Sequence, residues 1–292
     1  MRLFTVASWE DRFIAGLERS IEKHPIESVV VFFVDAFAAR TAETRRKAKE
    51  RCDRASIQFS EYQLYADDPA KSWHESLRIS IGDKDQPAIV DISTMPRDVI
   101  WQVLWFLKRR SVEVSVVYHR PEGYGDWLSR DPRRPRLVFK MSGISAMGKR
   151  TALVITAGYD FDRVRHLIEF YEPAFVCLAL QRDSVDPQNA QWMEKYRLEF
   201  GTQNGVEIVD LDAYGPGFGE SVLRARIDAL KDSYNVVCAS LGPKLSAISL
   251  FNIHWDLEEV GLTYLPSGDF NVAYSHGIGD SIETTLESSE KT

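Results

Sequence analysis

Cysteine is scarce in this chain: three residues in 292, namely Cys52, Cys177 and Cys238, odd in number and far apart. Without a CxxC pair or a Cys/His cluster, neither a disulfide framework nor a zinc site is expected, and no metal is assigned. Cys177 and Cys238 sit inside apolar runs, where a thiol acts as a small buried hydrophobe. Long hydrophobic runs are also missing, since none approaches the ~18–20 residues of a membrane span. The opening "MRLFTVASWEDRF" carries acids directly after a short apolar stretch, unlike a secretory leader, so the expected compartment is the cytoplasm. Positive charge is in deficit, with 36 Lys and Arg against 43 Asp and Glu and a net charge of -7. That balance excludes an extended nucleic-acid surface, which needs clustered bases, but not a small anionic ligand held by a few local groups.

Catalytic signatures are thin as well. The chain has no GxSxG, HExxH or GxxxxGK[ST], and no GxGxxG between a strand and a helix, so no cofactor is expected. The glycine-rich "GPGFG" at Gly215 to Gly219 has no Walker lysine and reads as a loop. Of the six histidines, His254 lies in an apolar helical pattern and reads as core, while His119 and His276, which follow "VVY" and "AYS" near the C-terminal rim, are the better functional candidates.

What the sequence does contain is regular alternation. Apolar runs such as "SVVVFFVDAF" and "AFVCLAL" read as strands buried on both faces. Amphipathic stretches such as "WEDRFIAGLERSIEKH", with Ser8 as its expected N-cap, read as helices between them. This rhythm predicts an α/β protein with largely parallel sheets. It pauses between Gly123 and Arg150, where "RDPRRPR" reads as a solvated connection, and then resumes. The polar, acidic end from about 282 is expected to be frayed.

The second run repeats the first. "VASWEDRFIAGLERSIEK" and "TAGYDFDRVRHLIEFYE" share strand, small residue, aromatic, acid, Asp-Arg and helix, so that Asp11-Arg12 corresponds to Asp162-Arg163. Farther on, "VDISTMPRDVIWQVLWFLKRRSVEVSVVYHRP" matches "CASLGPKLSAISLFNIHWDLEEVGLTYLP", aligning Pro96-Arg97 with Pro243-Lys244 and Tyr118 with Tyr264. The expected architecture is therefore two tandem Rossmann-like halves, residues 1–135 and 136–292, packed as a pseudo-dimer.

The repeated corners suggest chemistry. Proline suits the first turn of a helix, and the N–H groups behind it carry the positive end of the helix dipole. An anion there gains hydrogen bonds, and Arg97 or Lys244 adds a full charge. Gly242 offers close backbone approach, while Ser93, Thr94 and Ser240 can alternatively just cap the helix starts. Trp9 and Tyr159, beside Gly158, can stack on a base or cover the sheet edge. Arg12 and Arg163 can contact a ligand or pair locally, and Asp11, Asp162 and His276 are the candidate acids or bases.

The strand–small–Gly-Pro-Lys–helix–strand order of Val236 to Pro266, and less closely Val90 to Pro121, resembles the ligand-facing corner of CRISPR-associated Rossmann-fold sensor domains of the CARF and SAVED type. Two such halves in one chain are similar to the fused sensors of cyclic-nucleotide antiviral systems. The resemblance implies cyclic-oligonucleotide binding, with Gly242, Pro243, Lys244, Ser93 and Arg97 around phosphates. This sequence departs from that pattern in having Pro243 where the family often has Thr, and in lacking a separate effector domain. The leading expectation is thus a nucleotide-binding sensor or accessory subunit of an antiviral system, acting through a partner protein. A nucleotide-processing enzyme and a purely structural assembly subunit remain alternatives, and association of identical chains stays open.

Overall fold

The computed structural model describes residues 1–82, 86–182 and 187–286. The first run comprises β1 (Arg2–Val6), α1 (Asp11–Lys23), β2 (Ser28–Val34), α2 (Ala42–Arg54), β3 (Gln58–Leu64), α3 (Lys71–Ile81), β4 (Ala88–Asp91), α4 (Arg97–Arg109) and β5 (Val114–His119). Three short strands follow: β6 (Gly123–Tyr124), β7 (Ser129–Pro132) and β8 (Arg136–Leu137). The second run is β9 (Arg150–Ala157), α5 (Phe161–Tyr171), β10 (Phe175–Gln181), α6 (Pro187–Phe200), β11 (Val206–Leu211), α7 (Glu220–Lys231), β12 (Tyr234–Ser240), α8 (Leu245–Asp256) and β13 (Gly261–Tyr264). It closes with β14 (Ser267–Phe270), β15 (Ser275–His276) and β16 (Ser281–Leu286).

The chain forms two compact units. One holds Met1–Trp127 with Asn271–Thr292, and the other Leu128–Phe270. Each is α/β and Rossmann-like, built on a six-stranded sheet. The first sheet runs β3-β2-β1-β4-β5-β16 and the second β11-β10-β9-β12-β13-β8. In both, five strands are parallel and the sixth is an antiparallel edge. The two orders are the same once β1–β5 are matched to β9–β13.

Local sequence explains the layers. β2 and β10 are buried along nearly their whole length, as strands covered on both faces must be. Phe13 and Leu17 of α1 pack onto Leu3, Val29, Val31 and Ile89. Phe161, Val164 and Leu167 of α5 do the same over Leu153, Ile155 and Leu178. α8 is buried around almost its whole circumference, including His254, whose Nδ1 lies 2.7 Å from the Val260 carbonyl. That histidine is core, as its setting in the sequence suggests.

Three expectations need correction. The units divide at 127/128 and 270/271, not at 135/136, because segments on either side of each division pair into different sheets. The end does not fray at 282, since β16 pairs with β5 from Ser281↔His119 to Leu286↔Val114, and Lys23 bridges to Glu283. The remainder of the tail, 287–292, lies outside the described residues. Ser8 is not the N-cap of α1, which begins at Asp11 behind Glu10; the Ser8 hydroxyl instead accepts from the Glu10 N–H at 3.2 Å.

Candidate functional site

In each sheet the connections reverse direction between two central neighbours, β1 and β4 in the first unit, β9 and β12 in the second. The crevice outside the carboxyl ends of such a pair is where open α/β sheets take ligands. All the corners singled out by the repeat fall at these ends: Val6 to Arg12 and Asp91 to Arg97, then Ala157 to Arg163 and Ser240 to Lys244.

The two Asp-Arg corners are occupied by the protein itself. Arg12 is 1% exposed; it donates to the His119 carbonyl at 3.1 Å and to the Glu10 carboxylate. Glu10 also accepts from the Ser275 hydroxyl. Arg163 repeats this geometry, donating to the Asp160 carboxylate at 3.1 Å and to the Leu265 carbonyl. Asp160 accepts from the Ser129 hydroxyl at 3.0 Å. In both guanidiniums the Nε finds no acceptor among the described residues. Burial acts to lower the Arg12 pKa, but Glu10 and nearby tyrosines outweigh it, and the value is raised. Arg12 and Arg163 thus clamp the corner through their terminal NH groups, which donate to the protein. The repeat marks Glu10 and Asp160 as matched acids, but their pairing with the arginines and the serines Ser275 and Ser129 is not legible in the sequence.

The other candidates separate clearly. Trp9 donates to the Asn271 carbonyl at 3.3 Å, lies 5.5 Å from Phe37 and has the Arg40 guanidinium 4.6 Å from its ring centroid. Its ring is therefore held in a local stack. Asp11 is exposed and accepts from the Gly277 N–H at 3.2 Å, while Asp162 is exposed in the first turn of α5. His276 is exposed and lies over Gly123, where a Cβ would meet its ring. Asp11 and His276 lie in the first unit and Asp162 in the second.

His119 is buried instead of rim-exposed. It packs against Gly16 of α1, where a Cβ would come within 2.7 Å of its ring and 3.0 Å of the Asp91 carboxylate. Its Nδ1 is 2.7 Å from the Ser281 hydroxyl, and its N–H donates to the Ser93 hydroxyl. Burial lowers its pKa, with Asp91 acting in the opposite direction.

The Pro-base corners do not follow the capping reading. Neither α4 nor α8 has a side-chain cap. Ser93 is taken by Asp91, Thr94 donates to the Val6 carbonyl at 2.7 Å, and Ser240 pairs with Ser246. Gly242 and Gly158 serve backbone packing. A Cβ on Gly242 would lie 2.8 Å from the Ala157 carbonyl, and one on Gly158 would lie 2.9 Å from the Leu241 carbonyl. The two strand ends cross too closely for a side chain at either position. Tyr159 is half-buried beside them.

What remains is electrostatic. The first turn of α4 carries Arg97 with the buried Asp98, whereas the first turn of α8 has no acid and follows Lys244, which is 8% exposed. A packed cation at a helix N-terminus stands against the dipole, an arrangement that an anion stabilises.

Among the described residues no group of three or more His, Cys, Asp or Glu is placed to hold a metal, and no helix is long and apolar enough to cross a membrane. No protein-family model matches the chain. No curated protein matches it. Among solved structures it is similar to the cytoplasmic domain of a prokaryotic cation chloride cotransporter, at 9% identity over 91% of this chain and 95% of that one, with a TM-score of 0.30. It is also similar to the YdjI aldolase from Escherichia coli K12, at 11% identity over 89% of each chain, with a TM-score of 0.18. At these values neither likeness bears on function.

Proposed function

We propose that the protein binds a small anionic, nucleotide-like ligand at the switch point of its second unit, with Lys244 and the N-terminus of α8 facing the phosphate. The matching corner of the first unit, with Arg97, is a second and weaker site for the same class of ligand. The observation that carries this reading is the sheet order, which sets a helix start free of acids, with a packed lysine, directly behind β12 and next to β9. Binding without turnover is favoured because three acids at the corners are engaged: Glu10 and Asp160 by arginine and serine, Asp91 by Ser93. The role as a sensor in an antiviral system, acting through a partner protein, follows from the resemblance of Val236 to Pro266 to cyclic-nucleotide sensor domains.

Isothermal titration with cyclic oligoadenylates and common nucleotides tests the proposal. Binding by the wild type, weakened in Lys244→Ala and weakened further when Arg97→Ala is added, is the expected result. Absence of binding, or binding untouched by both changes, overturns it. Turnover of a nucleotide that disappears in Asp162→Asn would replace it with an enzymatic reading.

A further inference from the structure

The sequence repeat and the compact units do not share their boundaries, and the mismatch has a specific form. After β5 the chain makes β6, which pairs with β15 in the first unit. It then enters the second unit as β7, which pairs with β14, and as β8, the antiparallel edge against β13. After β13 the same path is repeated. The chain makes β14, returns to the first unit as β15, and ends as β16, the antiparallel edge against β5. Element for element, β5–β8 corresponds to β13–β16. The repeating segment is therefore β1–β8 followed by β9–β16, and each repeat gives its last two strands to the unit founded by the other.

Both arms are fastened alike. Ser275 of β15 donates to Glu10, the acid of the first arginine clamp. Ser129 of β7 donates to Asp160, the acid of the second. In each case the guanidinium also holds the backbone carbonyl at the end of the fifth parallel strand. The clamp thus joins a repeat's own first helix and fifth strand to the arm arriving from the other repeat. Two equivalent locks at equivalent positions are what an exchange between two copies of one ancestral design leaves behind.

We infer that the chain is a fused, arm-exchanged pair. Each repeat presents an interaction surface, made of the edge of its fifth parallel strand and the acid of its clamp, whose partner is a polypeptide carrying the arm of the other repeat. The connection between β8 and β9 makes this pairing intramolecular but does not create it.

The test is to insert a protease recognition sequence between Met147 and Gly148, where Met147 is 102% exposed and nothing lies within 4 Å of a Cβ on Gly148. The full chain is folded, purified and then cut. The expected result is that fragments 1–147 and 148–292 continue to elute together and part only in denaturant. Separation on cutting overturns the proposal. A second protein carries Glu283→Pro with Thr284→Pro, so that whichever residue donates to β5 loses its N–H. Its uncut form is checked by circular dichroism, and its cut form is expected to associate at least about tenfold more weakly, since a ladder bond is lost and the proline rings disturb the pairing on either side. Unchanged association overturns the proposal too. If the proline variant does not fold, hydrogen exchange on the cut wild-type protein decides. Protection of 114–119 and 281–286 must survive cutting, and free exchange there in a still-associated pair sinks the idea.

Discussion

Replacing Arg12 by methionine separates a structural clamp from a ligand contact. The side chain is 1% exposed and holds the Glu10 carboxylate and the His119 carbonyl, and Glu10 itself is 8% exposed. Arg12→Met keeps most of the apolar volume but leaves a buried carboxylate, beside the Ser275 and Ser8 hydroxyls, without its cation. Breaking a buried pair by removing one partner costs about 3–5 kcal/mol, most of it the penalty of the charge left behind. Adding Glu10→Gln removes that charge, so the double variant should recover a large part of the loss, about 2 kcal/mol or more in a double-mutant cycle. Arg163→Met should cost less, about 1–3 kcal/mol, because Arg163 and Asp160 have side chains 9% and 12% exposed and retain some solvation. Urea unfolding followed by tryptophan fluorescence and circular dichroism reads the midpoint shifts, with hydrogen exchange assigning each shift to its unit. An Arg12→Met protein with wild-type stability but impaired nucleotide binding would refute the clamp and restore the arginine to the ligand.

Gly242→Ala and Gly158→Ala should each destabilise the second unit by about 1–3 kcal/mol in thermal unfolding, because the added Cβ meets backbone that cannot move aside. Unaltered melting would show that the strand ends have room for a ligand after all. All three thiols should resist a disulfide-exchange reagent until the protein unfolds: burial pushes Cys52 up to about 11 and Cys177 up to about 12, and raises Cys238 as well. A thiol labelled at the rate of a model peptide contradicts that burial. Burial holds His119 below the ordinary histidine range, among Asp91, Arg19 and Arg12, so its unfolded form binds the proton more readily. Its contribution is therefore present above about pH 6.5 and lost as the pH falls below it, by at most about 1.4 kcal/mol per pH unit. His119→Asn should flatten melting temperature against pH between about 5 and 6.5, and an unchanged slope rules the residue out.

The parts of the fold that declare themselves in sequence are the ones whose partners are interchangeable. A strand such as "SVVVFFV" must be buried on both faces whatever covers it, and the βαβ rhythm follows from such strands alternating with amphipathic helices. The arginine clamps were half legible. Asp-Arg recurs at matched places, but the carbonyls that Arg12 and Arg163 hold lie 107 and 102 residues away, beyond any local pattern. The two-residue strands β6, β8 and β15 carry too little periodicity to be read, and without them the exchange of arms is invisible. Gly242 is legible as a residue at a close approach, but the neighbour that crowds it, the Ala157 carbonyl, lies 85 residues away and outside any local pattern.

Symmetry of fold need not bring symmetry of binding, and the Pro-base corners show why. Both follow the fourth strand of their sheet and both have a base beside the first helical turn. At the first, Arg97 is followed by Asp98, an acid in the first helical turn whose carboxylate accepts from the Val99 N–H at 3.0 Å. At the second, the position matching Asp98 is Leu245, which is buried, so the first turn of that helix carries no acid beside Lys244. One charge at a helix end is worth about 0.3–1 kcal/mol, so the corners should differ in anion affinity by about two- to fivefold even if all else is equal. Lys244→Ala should then weaken nucleotide binding more than Arg97→Ala, and Asp98→Asn should strengthen whatever the first corner holds. Equal losses in the two alanine variants would mean that the acid does not face the ligand.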